Sequence, residues 1–377
     1  MTGTRPAARI ELVRRASVEQ AIDGGRFGRF DKEILRALAP SGRALAVVRK
    51  RRADLPRRGA VLLVHGFAQN RYTWHLSTRS FVNYLADEGF DVFNLELTGH
   101  GRSREYGSET ARSFEEYVDD ASAVIEGLCE VCGLDRTFIV GHSLGGAVCY
   151  ATATRVPDRI AGVVSIAGLF SFGANPVTRG IARFLEALRP FEPLIRRLGA
   201  GVRSRFLGRA IVDRLDETDR LFNLFPMAGW VPGSTEPHVL QERLIRGFDW
   251  TGLNILLTML RWASDGAFEG ESGIDYGEAF SSLDLPLLVI AGDRDRLLPP
   301  ADARPAYDLS ESRDKTYKLF SPVHEEVHWG HLDIVLGEKA PTYVWPYVAR
   351  WLEDRSPIDG GGDAPLRTRG RREPGPA

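Results

Sequence analysis

From about Arg43 onward, the chain alternates short apolar, β-branched runs with segments of helical periodicity. This alternation is typical of a largely parallel sheet that is covered by helices. Near-continuous apolar runs also suit strands that are buried on both faces. The predicted fold class is therefore α/β, and the predicted strands are residues 44–48, 60–65, 91–97, 137–140, 162–167, 287–291 and 316–320.

Helix signals and a long insertion set the predicted domain organisation. Ser113 and Glu116 form a capping-box pattern before an amphipathic helix, and the last helix is predicted to begin near Pro341. A long segment between two predicted strands is helical in pattern and rich in Phe, Leu, Trp and Arg. We predict an N-terminal extension (1–42), an α/β core (43–169 and 284–354), a helical cap (170–283) and a disordered tail (355–377) that has almost no apolar content.

Composition excludes several classes of protein. The net charge of the 377-residue chain is −1, whereas nucleic-acid-binding proteins are usually strongly basic. Three cysteines do not make a disulfide framework in a chain of this size, which favours a reducing compartment. Residues 1–25 contain no apolar signal-peptide region, and the apolar run 160–172 is too short to span a membrane. We therefore expect a cytoplasmic protein.

The segment Gly141-His142-Ser143-Leu144-Gly145 matches the pattern G-x-S-x-G. It follows a predicted strand and begins a helical stretch, which is the strand–turn–helix context that a nucleophilic serine at this motif requires. A sharp turn exposes the hydroxyl above the sheet, and the flanking glycines leave room around it. The alternative is a Gly-Ser turn in which Ser143 only caps the next helix. The context favours Ser143 as a nucleophile.

Three motifs, each directly after a predicted strand, carry a resemblance to a known superfamily. They are His65-Gly66-Phe67, residues 99–103 (GHGRS) and residues 141–146 (GHSLGG). Their order and spacing resemble the α/β-hydrolase superfamily over residues 43–354, which implies the α/β-hydrolase fold with a cap inserted between two strands. Residues 65–92 are also similar to the acid-lipase and polyester-synthase branch, although the synthases have a cysteine at the position of Ser143.

A serine nucleophile needs a histidine base and a carboxylate that orients the histidine. In this fold the chain order is Ser, Asp or Glu, then His. Asp293 and Asp295 follow a predicted strand, and the resemblance implies Asp295, because the family pattern is Gly-x-x-Asp with a proline four residues later. Asp293 is then interpreted as a turn residue. His331 follows Gly330 and is the predicted base, and Asp333 is interpreted as a helix N-cap.

Acyl transfer also needs backbone N–H groups that stabilise the oxyanion. The N–H of Leu144 is one predicted donor, because Leu144 follows the serine in the motif. The resemblance implies Phe67 as the second donor. Gly66 allows the backbone to turn close to a substrate, although a plain glycine turn after a buried strand is the alternative. This chemistry needs no cofactor.

Two other motifs have simpler interpretations. Residues 324–328 (HEEVH) match the zinc motif H-E-x-x-H, but Pro322 and Gly330 leave too little room for the helix that the motif needs. Cys129 and Cys132 have the spacing of a redox pair, but they lie near the end of a predicted amphipathic helix, where core packing is the favoured interpretation.

The cap should set the substrate. Its abundant aromatic and aliphatic residues favour a small hydrophobic ester over a charged or sugar-like one. Its arginines could form a basic face that makes weak peripheral contact with anionic lipid. The favoured interpretation is that they form the solvated face of the cap helices. These arginines are Arg179, Arg183, Arg189, Arg196, Arg197, Arg203, Arg205 and Arg209.

The sequence therefore predicts a serine hydrolase that cleaves a hydrophobic carboxylic ester through an acyl-enzyme. The same residues suit a thioesterase or an acyltransferase, and a cofactor-free perhydrolase, haloperoxidase or carbon–carbon bond hydrolase. A catalytically silent binding protein on this fold is an alternative of another class, although that class is expected to have an incomplete triad. Epoxide-opening and dehalogenase chemistry is disfavoured, because those relatives have an aspartate at the position of Ser143. No oligomeric state is predicted.

Overall fold

A mostly parallel sheet forms the centre of the computed structural model, which describes residues 6–186, 201–203, 209, 211–213 and 228–356. The strands within these residues are β1 (Arg9–Asp23), β2 (Arg26–Leu38), β3 (Ala44–Arg51), β4 (Gly59–Val64), β5 (Phe90–Glu96), β6 (Thr137–His142), β7 (Ile160–Ile166), β8 (Gly201–Arg203), β9 (Trp250–Gly252), β10 (Leu287–Gly292) and β11 (Lys315–Phe320). Nine of them form one sheet in the order β1-β2-β3-β5-β4-β6-β7-β10-β11. The six strands from β5 to β11 in this order are parallel, and β1, β2 and β3 are joined by antiparallel pairing.

Helices cover both faces of the sheet. Those in the described residues are α1 (Phe81–Asp87), α2 (Gly101–Glu105), α3 (Phe114–Cys132), α4 (Leu144–Arg155), α5 (Pro176–Glu186), α6 (Pro237–Glu242), α7 (Leu253–Asp265), α8 (Tyr276–Ser281), α9 (Pro300–Ala303), α10 (Pro305–Leu309), α11 (Pro322–Glu325), α12 (Asp333–Leu336) and α13 (Ala340–Glu353). Short 3₁₀ turns occur at Arg71–Thr73 and Pro157–Arg159, and a π-helical turn occurs at Arg243–Gly247.

The hydrophobic core has two halves, one on each side of the sheet. Along β4, Leu62 and Val64 pack in one cluster with α3 and α4. The alternate residues Val61 and Leu63 pack in the other cluster with α1 and α13. Successive side chains of a strand point to opposite faces, so these helix pairs lie on opposite sides. Burial on both faces explains the continuous apolar runs of the parallel strands.

The seven strands predicted from the sequence are all confirmed, with ends that differ by a few residues. The helix start at Ser113 is also confirmed, because its hydroxyl accepts a hydrogen bond from the N–H of Glu116 at 3.3 Å. In a full capping box, the carboxylate of Glu116 would also accept from the N–H of Ser113. Here it accepts from the N–H of Arg112 instead, at 2.9 Å. The last helix begins at Ala340, next to the predicted Pro341.

The segment predicted as an N-terminal extension contains two strands that the sequence analysis did not recognise. β1 and β2 pair along almost their whole length, and β2 continues the main sheet through β3. β1 is the edge strand, and most of its side chains are at least partly exposed. Charged residues are typical of such edges, because they oppose pairing with other chains. They also hide the apolar alternation by which strands are recognised.

The described part of the predicted cap contains α5, α6, α7, α8 and the short antiparallel pair of β8 with β9. Arg179, Arg183 and Arg209 are exposed. The predictions for residues 189, 196, 197 and 205, for the side chain of residue 203 and for the tail after residue 356 lie outside the described residues. The division into core and cap stays a prediction. No described helix combines the length and the hydropathy that crossing a membrane requires.

Candidate active site

Ser143 lies at the turn between β6 and α4, and its backbone has φ 59° and ψ −127°. Residues other than glycine rarely adopt such a conformation, which costs of the order of 1–3 kcal/mol. Hydrogen bonds hold the turn, because the carbonyl of Ser143 accepts from the N–H groups of Gly146 at 2.9 Å and Leu169 at 3.0 Å. Ser143 is partly exposed, whereas its neighbours His142 and Leu144 are buried. The turn thus presents one hydroxyl at the carboxyl end of the sheet.

Close backbone contacts explain the glycines around this turn. A Cβ atom at Gly145 would lie 2.3 Å from the carbonyl oxygen of Val64, at the end of β4. A Cβ atom at Gly66 would lie 2.7 Å from the Cβ of Ser143. Real Cβ atoms essentially never approach so closely. The loop after β4, which carries Phe67, therefore lies directly against Ser143.

His331 and Asp295 form a buried pair beside this turn. Nδ1 of His331 lies 2.7 Å from Oδ2 of Asp295, and the two residues are 3% and 4% exposed. The other carboxylate oxygen of Asp295 accepts from the N–H of Leu298 at 2.8 Å. Since a carboxylate at neutral pH only accepts, Nδ1 of His331 donates, which leaves Nε2 as the basic nitrogen of the neutral ring.

His142 connects the serine turn to the histidine loop. Its Nε2 donates to the carbonyl oxygen of His331 at 2.8 Å, and the two imidazole rings are 4.7 Å apart. Burial lowers the pKa of His142 well below its usual range, and the charges of His331 and Arg243 lower it further. His142 is therefore neutral. Because it directly precedes Ser143, this contact holds the backbone of the predicted base beside the turn of the predicted nucleophile.

Asp293 faces a different histidine. One oxygen of Asp293 accepts from the N–H of Trp329 at 2.9 Å, and the other lies 2.6 Å from Nδ1 of His328. His328 is a largely exposed side chain, unlike His331. Asp293 lies in a turn after β10, and its carboxylate accepts a backbone N–H from a second loop. The structure thus brings Asp295, and not Asp293, to His331.

Asp333 is not the helix N-cap that the sequence predicts. The N-cap of α12 is Leu332, and Asp333 is the first helical residue. Its carboxylate accepts from the N–H of Gly330 at 2.8 Å and from the N–H of Val231 at 3.3 Å. Burial raises the pKa of Asp333 to about 7, and the charge of nearby Asp295 acts in the same direction. Asp333 therefore ties the His331 loop to the cap.

The loop that carries Phe67 is also held by the cap. The N–H of Ala68 donates to Oγ1 of Thr251 at 2.9 Å, and the carbonyl of Ala68 accepts from the N–H of Asp249 at 2.8 Å. Leu144 is the first residue of α4, so its N–H has no partner within the helix. These contacts hold the loop of one predicted oxyanion donor, and the helix start leaves the N–H of the other without a partner in the helix.

Asp249 is a structural residue that the sequence analysis missed. Its carboxylate accepts from the N–H of Gly101 at 2.7 Å and lies 2.8 Å from a guanidinium nitrogen of Arg104. It also accepts from the side-chain amide of Asn70 at 3.2 Å. Two segments of the core, α2 and the loop after β4, thus meet at one cap carboxylate. A single aspartate in a helical insertion has no local pattern from which this could be predicted.

The zinc-motif segment does not form the helix that zinc binding requires. α11 ends at Glu325, and Glu326 has a left-handed φ of 65°. Glu325 pairs with Lys318 at 2.5 Å, whereas His328 contacts Asp293. Within the described residues, no three His, Cys, Asp or Glu side chains are grouped so that they could hold a metal ion.

The two spaced cysteines lie in the hydrophobic core. Cys129 and Cys132 are buried thiols in the last turns of α3. Burial raises the pKa of Cys129 to about 12 and that of Cys132 to about 11. A redox pair usually has a lowered thiol pKa, so this environment suits packing.

Replacement of Gly66 by alanine tests the close contact with Ser143. The added Cβ would also lie 2.9 Å from the carbonyl oxygen of His142, so the loop or the turn must move. We expect kcat for a nitrophenyl ester to fall about 10- to 100-fold. We expect the free energy of unfolding in urea to fall by about 1–3 kcal/mol. Gly25→Ala is the control, because nothing lies within 4 Å of its added Cβ. Equal effects of the two changes would contradict the contact.

Comparison with known proteins identifies similar families and folds. A family model described as serine aminopeptidase, S33, matches residues 56–211. A monoacylglycerol lipase of Mycolicibacterium smegmatis is 26% identical over 278 residues, which are 73% of this chain and 83% of that protein. Epoxide hydrolase B of Mycobacterium tuberculosis is 35% identical over 111 residues, or 29% of each chain.

Solved structures show the same fold. A crystal structure of a monoacylglycerol lipase from Paleococcus ferrophilus superposes with a TM-score of 0.56 at 20% identity. The match covers 83% of this chain and 99% of that chain. The likeness therefore extends over both the sheet and the helices that flank it.

Proposed function

Because this chain is an ester hydrolase of the α/β-hydrolase superfamily, we propose that it cleaves a hydrophobic carboxylic ester through an acyl-enzyme on Ser143. His331 is the general base, Asp295 orients it, and the N–H groups of Leu144 and Phe67 stabilise the oxyanion. The observation that carries the proposal is the buried hydrogen bond of 2.7 Å between His331 and Asp295, next to a serine with a positive φ.

The proposed mechanism has two steps. Nε2 of His331 takes the proton of Ser143 as the oxygen attacks the ester carbonyl, and the same nitrogen then protonates the departing alcohol. Water, deprotonated by His331, attacks the acyl carbonyl in the second step and releases the acid. Asp295 stabilises the imidazolium that forms in each step. In this proposal both donors are backbone N–H groups whose positions the fold fixes before the reaction, so oxyanion binding would require no reorganisation.

Apolar cap residues beside the base support a hydrophobic substrate. Trp230, Leu240 and Leu244 pack in one cluster with Leu332, the residue after His331. Apolar walls with a few polar groups are typical of pockets that bind small hydrophobic ligands. The likeness to monoacylglycerol lipases, whose name describes esters of fatty acids, points in the same direction.

A fluorophosphonate probe and an ester series test this function. We expect the probe to label one residue, Ser143, because only an activated serine attacks phosphorus readily. We expect kcat/KM for nitrophenyl esters to rise from acetate to hexanoate by up to about 15-fold per pair of methylenes, since each buried methylene contributes about 0.8 kcal/mol. Labelling of another residue would contradict the mechanism. A preference for acetate would contradict the hydrophobic substrate.

A further inference from the structure

Arg243 is a buried guanidinium next to the candidate active site. It begins the π-helical turn Arg243–Gly247 and is 3% exposed. Its Nη2 donates to Oε1 of Gln69 at 3.0 Å. Within the described residues, its Nε and Nη1 have no hydrogen-bond partner, and no carboxylate forms an ion pair with it. A buried charge without a counter-charge is costly, so its retention needs an explanation.

One hydrogen bond, one packing contact of the next residue and one electrostatic effect place Arg243 near the candidate site. Gln69 lies two residues after Phe67, in the loop that packs on Ser143. Leu244, which follows Arg243, packs against Leu332 beside His331. The charge of Arg243 also helps to lower the pKa of His142, the residue before Ser143.

The buried edge of the guanidinium that lacks partners lies beside a glycine. A Cβ atom at Gly247 would lie 3.3 Å from Nη1 and 3.5 Å from Nε of Arg243, the two nitrogens that lack partners. Because position 247 is glycine, this position adds no side-chain atoms next to the buried N–H groups. π-Helical turns are frequent at functional sites, where they reposition single side chains.

Arg243 is charged at neutral pH. Burial lowers its pKa to about 9, which is still above 7. His65 and His142 are neutral, because burial lowers the pKa of His65 to about 3 and that of His142 well below its usual range. Arg243 therefore supplies one positive charge here, which matches a ligand with one negative charge.

We propose that Arg243 binds a carboxylate of the substrate, so that the preferred ester carries a carboxylate a few atoms from the carbonyl that is attacked. The inference rests on the proposed function and narrows its substrate class: the acyl chain is apolar between the attacked carbonyl and a single carboxylate at its end. A carboxylate oxygen of the substrate accepts hydrogen bonds from the Arg243 N–H groups that have no partner among the described residues. The cluster of apolar cap residues contacts the rest of the acyl chain. Arg243 is a specificity residue in this arrangement.

Nitrophenyl monoesters of dicarboxylic acids test the proposal. Hemisuccinate, hemiglutarate and hemiadipate are compared with the neutral butyrate, valerate and hexanoate of equal acyl length. In the wild type, we expect at least one hemiester to have a higher kcat/KM than its neutral match. In Arg243→Met, we expect this ratio to fall about 10- to 100-fold, the range of a hydrogen-bonded charge. The free acids of the series are also tested as competitive inhibitors. The strongest inhibitor shows which chain length fits the site.

The exposed Arg246 on the same turn provides the matched control. It pairs with Glu242 and points away from the buried Arg243. Arg246→Met should leave the ratio within about twofold of the wild type, because a solvated charge contributes little. The proposal is overturned if Arg243→Met also leaves the ratio within about twofold, or if no hemiester is preferred by the wild type.

Ligand binding without turnover separates this proposal from the proposed function. Methyl hemiesters of the same acids should raise the Tm of Ser143→Ala, and should not raise that of Ser143→Ala with Arg243→Met. Arg243→Lys, which keeps a charge, should retain part of the shift if Arg243→Met is poorly folded. An equal shift with and without Arg243 overturns the carboxylate assignment. Turnover by Ser143→Ala would instead remove the proposed function and leave this binding result intact.

Discussion

Replacement of Ser143 by alanine is expected to lower kcat for ester hydrolysis by roughly 10⁴- to 10⁶-fold. The proposed mechanism has no other group that could form the acyl-enzyme, and only oxyanion and substrate binding would contribute to the remaining rate. The fold should be unaffected, because the serine side chain makes no hydrogen bond that stabilises the turn between β6 and α4 and alanine removes only its hydroxyl. Stopped-flow detection of nitrophenol release measures both the burst and the steady state.

Ser171 offers a matched control for this change. It follows β7 at the same edge of the sheet, and its hydroxyl donates to Asp302 at 3.3 Å. Ser171→Ala should keep the fluorophosphonate label and the burst, whereas Ser143→Ala should lose both. If the Ser143 variant turns over within about tenfold of the wild-type rate, another nucleophile performs the reaction and the mechanism is wrong.

Replacement of Asp295 by asparagine is expected to lower kcat about 10³- to 10⁴-fold at neutral pH. An asparagine amide can donate to Nδ1 of His331 and so favour the tautomer whose proton is on Nε2. That tautomer cannot accept the proton of Ser143. Asparagine also removes the charge that stabilises the imidazolium. Because the volume is nearly unchanged, KM should change much less than kcat.

Asp293→Asn is the control for this second change. Asp293 lies two residues away and hydrogen bonds to Trp329 and His328, not to His331. We expect its replacement to affect kcat far less than the replacement of Asp295 does. The reverse order, with the larger loss at Asp293, would show that the loops rearrange during catalysis and that the pair seen here is not the working one.

Local patterns were sufficient for the main sheet. Apolar runs such as 60–65 and 137–140 predicted β4 and β6 because strands buried on both faces consist mostly of apolar residues. The turn at Ser143 was equally predictable, since the glycines that flank it are needed where backbones lie within van der Waals contact. The β1–β2 hairpin was not recognised, because a charged edge strand lacks that apolar signature.

Local patterns could not separate the two aspartates after β10. Asp293 and Asp295 differ by two positions in one loop, and a family resemblance was needed to prefer one of them. In the structure, the loop directs Asp295 to His331 and Asp293 to His328, which come from the same later segment. The direction of each side chain depends on how two distant loops pack, and composition carries no record of that.

The strands of the parallel sheet, the serine turn and the positions of the candidate base and acid along the chain follow from short-range physics. Apolar burial and backbone geometry act within a few residues, so they leave a pattern in the sequence. Three features do not follow from short-range physics: the pairing of His331 with Asp295, the junction at Asp249, and the buried charge of Arg243, which has no ion-pair partner among the described residues. Each joins residues from separate parts of the chain, and whether a polar group is buried, paired or exposed is settled only when those parts pack together.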